Sequence, residues 1–434
     1  MFCQLEILRH CFPPSVRCVL DELPESLDET YERILRGIMK SNQGHAHRLL
    51  QCLVVAVRPL RVEELAEVVA FDFNAEGMPK LNPGWRWEDQ EEAVMSACSS
   101  LVMIVKDGDS RIVQFSHFSV KEFLTADRLA ESIRDVSRYH IRLEAAHTVL
   151  AQACLGVLLR LDDRVDRDSI KSFPLALYAA QYWPTHGLVE NVSSHIMDGM
   201  ERLFDADEPH FAAWLWIYNE EKQRGRSMST MCPRKPDAVP LYYAAKLGFC
   251  DFVEHLIAVR PEHVNARGGI DETPIHAAAN AGHVNVLSLL IEHGADIEDQ
   301  IRSKNGRTPL NRAAWYGRLK VGRCLLDRGA NINTRDDLGD TPLTNAVSSG
   351  YVKFAQMLLE RRAVIDVQNN YGTTALHIAA RRGDTQAVRL LLEHVADVNV
   401  RNEGGDTPSK LASSFGRQKI VELMSAHAAG SVMN

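Results

Sequence analysis

The sequence predicts a mainly α protein in two parts: a helical solenoid in the second half and a helical module with one β-hairpin in the first. Three observations carry this. A Thr-Pro-Leu-like triplet returns every 33 to 35 residues from Val239 onward. Apolar residues in the first half recur at the helical spacing. Two apolar segments, 101–105 and 111–115, flank a turn containing Gly108. At 434 residues, with 45% hydrophobic and 24% charged residues, the chain is an ordinary globular composition, and length alone suggests two to three domains at about 150 residues each.

The second half is read first because its periodicity is strongest. Val239-Pro-Leu, Thr273-Pro-Ile, Thr308-Pro-Leu, Thr341-Pro-Leu, Thr374-Ala-Leu and Thr407-Pro-Ser align, and the same register superposes Gly248, Gly282, Gly317, Gly350, Gly383 and Gly416. Thr caps a first helix, and Pro opens it where a missing N–H costs nothing. Small pairs such as Ala278-Ala279 let neighbouring first helices approach. Glycine then breaks the helix, and Leu pairs such as Leu289-Leu290 give a second helix its buried stripe. These motifs resemble the ankyrin repeat, with Thr273-Pro-Ile-His-Ala-Ala-Ala and Thr374-Ala-Leu-His-Ile-Ala-Ala the best copies. The resemblance implies six repeats over about 239–429 and a protein ligand on a concave face.

Departures from the pattern carry expectations of their own. A glycine follows the second helix at Gly294 and Gly329, but Arg362, Val395 and Ala428 stand there in the last three units. A β-branched residue in a left-handed cap is strained by roughly 1 kcal/mol or more, so an altered helix end is expected at Val395. Ser409 and Lys410 replace the apolar residue and His of an interior repeat, as a terminal cap facing water would, and the array is expected to end within this chain. The residues preceding the mid-repeat glycines vary most. Among them Trp315-Tyr316, with Arg312 nearby, and Arg381-Arg382 have side-chain types enriched at interface hot spots, so these five residues are the expected partner-binding set.

In the first half, Ser26-Leu-Asp-Glu29 reads as a capping box opening a helix. A second helix is expected over about 45–57, ended by Pro59, a third over 62–70 and a fourth over about 89–99, before the hairpin. Helices closed by a hairpin suggest a winged helix. Its candidate groove-reading helix carries Glu63, Glu64 and Glu67, with Asp72 beyond, which speaks against phosphate contact. Leu23-Pro-Glu-Ser-Leu27, Pro59-Leu-Arg-Val-Glu-Glu-Leu65 and Phe115-Ser-His-Phe-Ser-Val-Lys-Glu-Phe-Leu124 look like the winged-helix segment of fungal NACHT-type signalling ATPases, a segment also described in GPI inositol-deacylase-like sequences. That resemblance implies a winged helix over 14–138, a helical domain over 139–219 and a linker over 220–238 before the repeats. It also implies that His117 contacts the β-phosphate of bound ADP, but only if a nucleotide-binding core is supplied. Otherwise His117 is expected to cap the helix beginning near Ser119.

Catalytic motifs are missing from the sequence. It holds no G-x4-G-K-[ST] loop, no G-x-S-x-G elbow, no H-E-x-x-H and no G-x-G-x-x-G. The acidic run Asp162, Asp163, Asp166 and Asp168 lacks the glycine and final Glu of a calcium loop. Nine scattered cysteines show no C-x2-C spacing and read as reduced thiols in a cytosolic protein. The net charge of −8 lies in the first half: 22 basic and 22 acidic residues follow Pro236, leaving 27 and 35 before it. The expectation is a non-enzymatic protein-binding module without cofactor or metal, with no nucleic-acid or membrane partner. The alternative is the sensor and lid part of a NACHT-type ATPase whose P-loop core lies elsewhere.

Overall fold

The computed structural model describes residues 26–222 and 239–431, apart from 76, 133, 134, 163, 167, 269, 270 and 302–304. Contacts divide the chain into two compact units, Met1–Pro236 and Asp237–Asn434.

In the first unit, α1 (Leu27–Gly37), α2 (Gln43–Val55), α3 (Val62–Val69) and α4 (Gln90–Cys98) precede the hairpin. The N-cap hydroxyl of Ser26 accepts the Glu29 N–H at 3.2 Å, which sets the start of α1. The hairpin pairs β4 (Val102–Asp107) with β5 (Ser110–Phe115), and Gly108 turns it at φ +58. The wing has a third strand that period-2 alternation could not show. Residues 60–61 form β1 beside β5, giving the antiparallel order β1-β5-β4 with Val113 between Leu60 and Ile104. Two residues are too few to alternate, and only the partner strand defines them. A second short ribbon, β2 (Phe71–Asp72) with β3 (Lys80–Leu81), was likewise unpredicted.

After α5 (Phe118–Thr125), the helices α6 (Leu143–Leu158), α7 (Ala176–Gly187), α8 (Met197–Leu203) and α9 (Pro209–Lys222) complete the unit. Helix α6 packs on α2 and α7. Its Gly156 is required by this approach, since a Cβ there would lie 2.5 Å from the Phe71 ring. Trp183, Phe204, Phe211 and Trp214 cluster with ring centroids 5.3–6.2 Å apart, and the Trp214 indole donates to Ala180 O at 3.0 Å. A buried polar relay also crosses the helices. Val57 N donates to the Tyr178 hydroxyl at 3.1 Å, that hydroxyl lies 2.9 Å from His186 Nε2, and His186 Nδ1 lies 2.9 Å from His147 Nδ1. Burial lowers the pKa of His186 to about 3, and the neighbouring His147 adds to this.

The acidic residues of α3 do not form the outward face expected of them. Glu64 is fully buried and accepts two bonds from Arg58, at 2.6 and 2.8 Å, and two more from Arg61. Glu67 is buried, pairs with Arg86 and accepts the Leu175 N–H at 2.7 Å. Both carboxylates point inward because arginines from adjacent loops neutralise them there. The charge argument against phosphate contact therefore rests on Glu63 and Asp72. The expected linker falls largely on 223–238, outside the described residues, while α9 already reaches Lys222.

The second unit stacks six helix pairs. They are α10 (Pro240–Leu247) and α11 (Cys250–Val259); α12 (Pro274–Ala281) and α13 (Val284–Glu292); α14 (Pro309–Trp315) and α15 (Leu319–Asp327); α16 (Pro342–Ser349) and α17 (Val352–Glu360); α18 (Ala375–Arg382) and α19 (Thr385–Glu393); and α20 (Pro408–Ser414) and α21 (Gln418–Ser431). Every first helix packs on the first helix of the next pair through the small buried residues. All six aligned glycines take positive φ, from +65 to +96.

The helix end at Val395 is not altered. Val395 adopts φ +65, as Gly294 does at +84 and Gly329 at +92, and Arg362 does so at +64. The bonds are the same: Val395 N donates to Leu392 O and Ala396 N to Leu391 O, both at 3.0 Å. Burial of Ala396 against the stack holds the backbone in the left-handed turn, and the strain is borne by a side chain 78% exposed. At the sixth unit there is no such turn, because α21 runs through Ala428 to Ser431.

Candidate protein-binding surface

In three of the pairs the loop to the next repeat is tied by one device at the third position of the first helix. In α12, the His276 ring accepts from the Thr273 hydroxyl at 2.8 Å through Nδ1 and donates through Nε2 to Arg307 O in the next repeat at 3.1 Å. His377 does the same with Thr374 and Asp406 O. In α14, Asn311 substitutes, its amide donating to Asp340 O at 3.2 Å. Burial drives the His276 pKa down to about 4 and lowers that of His377, so each ring is the neutral tautomer that both bonds need. The first-helix face is thereby presented as a rigid row.

On that row, a buried network begins at Glu272. It pairs with Arg312 and accepts from the Tyr242 hydroxyl at 2.9 Å and the Asn280 amide at 3.2 Å. The Arg312 guanidinium also lies 5.4 Å from the Tyr316 ring centre. A second network joins Arg307 to Asp336 at 3.3 Å, with Asn345 on the same carboxylate at 3.4 Å. The Arg307 guanidinium covers the Trp315 ring at 4.0 Å.

The five expected contact residues therefore separate. Tyr316 is 39% exposed, and Arg381 is exposed with no hydrogen bond or ion pair among the described residues. Trp315 is half-buried rather than exposed, because Arg307 stacks over it. Arg312 is held by Glu272, and Arg382 reaches back to Ser348 O at 2.5 Å. Glu272 and Asp336 went unremarked in the sequence, where each reads as an ordinary loop acid; only the stacking of repeats brings their arginines to them. Sequence spacing offers no signal for a pair separated by 40 residues.

In the first unit, His117 is the N-cap of α5. Its Nδ1 accepts the Ser119 N–H at 3.3 Å and meets the Ser119 hydroxyl at 2.6 Å, and that hydroxyl lies 2.8 Å from the Tyr31 hydroxyl. The ring is exposed and lies 4.3 Å from Phe118, itself 71% exposed. A separate open cleft of about 650 Å³ is lined by His45, Arg48, Asp72, Trp85, Arg86 and Trp87. Its Arg86 is committed to Glu67. Of the acidic run, Asp163 lies outside the described residues; Asp166 accepts from Asp168 N and Ser169 N, and Asp168 pairs with Lys171 at 2.7 Å. Among the described residues no cluster is arranged to hold a metal ion. Nor does any described helix have the length and apolar character to cross a membrane. Cys52, Cys98 and Cys154 are buried free thiols, the first two with pKa values raised to about 12 by desolvation.

With this geometry established, comparison with known proteins assigns the parts. Residues 241–336 and 343–433 match ankyrin repeats (3 copies), and 316–359 match ankyrin repeats (many copies). The second unit is an ankyrin-repeat array. Residues 31–134 match the GPI inositol-deacylase winged helix domain. Among curated relatives, "Azaphilone pigments biosynthesis cluster protein L" of Monascus ruber is 34% identical over 294 residues, covering 64% of this chain and 61% of that protein. "Ankyrin repeat and SAM domain-containing protein 6" of Mus musculus is 35% identical over 102 residues, 24% of this chain and 11% of its own length. "NF-kappa-B inhibitor cactus" of Drosophila melanogaster is 37% identical over 76 residues, 18% and 15% respectively. The chain thus spans under two thirds of each of these relatives. Ankyrin repeats of this kind make the chain a protein–protein interaction module.

Proposed function

We propose that the chain is a non-enzymatic recognition module in which the ankyrin array binds a protein ligand on its first-helix face, and which also carries a winged helix with a regulatory role. The observation that carries this reading is the rigid row of capped first helices, on which Tyr316 and Arg381 face outward while the acids beneath are neutralised. Aromatic and arginine side chains held by a stiff scaffold lose little entropy on binding. Trp315, Arg312 and Arg382 enter as supports of that face. The domain limits follow the sequence reading for the winged helix (14–138) and the start of the repeats (239), while the helical domain extends from 139 to Lys222, where α9 ends, and the last repeat helix to Ser431.

The test uses the full chain with a photo-crosslinking amino acid at Tyr316 or, as control, at Gln356 on the outer helix α17. A protein adduct from a native lysate at Tyr316 and none at Gln356 is the expected result. Equal labelling at both positions, or none at either, would remove the reading.

The winged-helix match favours one second reading, in which this chain is the sensor part of a NACHT-type switch of fungal kind and His117 meets a nucleotide held by a separate core. The Monascus relative supports the fungal part. Isothermal calorimetry of the chain alone with ADP is expected to give no heat of binding, and saturable binding would favour this second reading.

A further inference from the structure

The ankyrin array is close to neutral, yet one of its edges concentrates exposed basic residues. This edge is made by the last turn of each first helix, the aligned glycine and the start of the second helix. In the last four repeats it carries Arg318, Lys320, Arg381, Arg382, Arg417 and Lys419, all exposed. The acid on this stretch, Asp384, has its carboxylate engaged by Gln386 N and Ala387 N as a helix cap. The opposite edge, formed by the inter-repeat loops, is mixed: it exposes Asp296, Asp337, Asp397 and Glu403 together with Arg335 and Arg401, whose guanidiniums donate to the Gln368 and Gly405 carbonyls. None of the six cations has an ion-pair partner among the described residues.

Stacking lays side chains of this edge over the glycine of the preceding repeat, with Tyr351 taking that place over Gly317. Arg318 reaches back over Gly282 and donates to Asn280 O at 2.8 Å; Arg382 lies over Gly350, and Arg417 over Gly383. Between them the same edge exposes three aromatic rings, Tyr316 at 39%, Tyr351 at 41% and Phe415 at 54%. Cations without counter-charges, interleaved with aromatic rings on a rigid ridge, are the complement of an extended chain that alternates carboxylates with apolar side chains.

We infer that this edge is a docking ridge for an acidic, aliphatic-bearing peptide segment of the protein ligand. The inference rests on the reading of the array as a protein-recognition module and adds the partner's chemistry. The ridge holds the carboxylates by long-range attraction and the arginine forks, and the rings seat the apolar residues. Lys320, Arg381 and Lys419 make no hydrogen bond among the described residues, so they can be changed without disturbing the stack.

The test is fluorescence anisotropy of the full chain with a fluorescein-labelled Glu-Glu-Leu repeat peptide of about twelve residues. Saturable binding is expected to weaken by about tenfold between about 50 mM and about 300 mM salt, as exposed charges are screened. The triple variant Lys320→Glu, Arg381→Glu, Lys419→Glu should lose about tenfold or more in affinity. Glu403→Lys on the opposite edge should leave binding unchanged, and circular dichroism should be unaltered in both proteins. Absent peptide binding at low salt, or a triple variant that binds as well as the parent, would overturn the proposal. So would tighter binding of an oligouridylate of similar length or of phosphatidylserine vesicles, since the ridge would then serve a different class of partner. If the Tyr316 crosslink to protein persists while the peptide fails, the acidic-peptide assignment alone falls. If both fail, the recognition reading falls with it.

Discussion

Val395→Gly should stabilise the end of the array, against the usual sense of a deletion. The backbone there is already in the left-handed region at φ +65, where an L residue is disfavoured by roughly 1–2 kcal/mol. The isopropyl group is 78% exposed, so its removal forfeits little burial. Against this stands the larger unfolded-state freedom of glycine, about 0.4–1 kcal/mol. The net expectation is a gain of about 1 kcal/mol, or roughly fivefold slower exchange of the amides that open with this turn. Native-state hydrogen exchange of Val395 to Asn399, read by mass spectrometry on the full chain, measures it. The reciprocal Gly294→Val imposes the same conflict at φ +84, where a Cβ meets nothing within 4 Å, so its expected loss is pure backbone strain. If Gly294→Val accelerates exchange but Val395→Gly leaves it unchanged or faster, the strain argument fails at Val395, and its side chain must be making a favourable contact instead.

Further expectations concern the polar supports and the packing. His276 is neutral in the folded array, with its pKa lowered to about 4 by burial; the neutral ring contributes stability above the unfolded value near 6.5, and that contribution is lost as pH falls from there toward 4. His276→Asn, which installs the amide already used at Asn311, should flatten this acid dependence in urea titrations at pH 7 and pH 5; an unchanged slope would place the dependence elsewhere. Arg86→Ala leaves the Glu67 carboxylate buried with the Leu175 N–H as its remaining close partner, and should destabilise the first unit by about 3 kcal/mol in thermal unfolding, whereas Arg111→Ala, at an exposed pair, should cost under about 1 kcal/mol. Gly156→Ala forces a methyl against the Phe71 ring and should cost about 1–3 kcal/mol. Combining it with Phe71→Leu should recover part of that loss, and failure to do so would mean the close approach is not at Phe71.

The array was legible in the sequence because a repeat contacts only its neighbours. Each job is local and recurs at a fixed spacing: Thr308 caps, Pro309 opens, Ala313-Ala314 pack, Gly317 turns. The wing hairpin and the Ser26 cap were legible for the same reason, since their signals lie within a few residues. Tertiary structure decided the rest. It turned Glu64 and Glu67 inward to meet arginines, and it covered Trp315 with Arg307. It also joined His147 to His186 across 39 residues and held Val395 in a glycine's conformation. These outcomes depend on partners distant in the chain, and burial of a neighbour such as Ala396 can outweigh the local preference of the residue beside it. Composition and spacing record that local preference; only packing decides which preference is overruled.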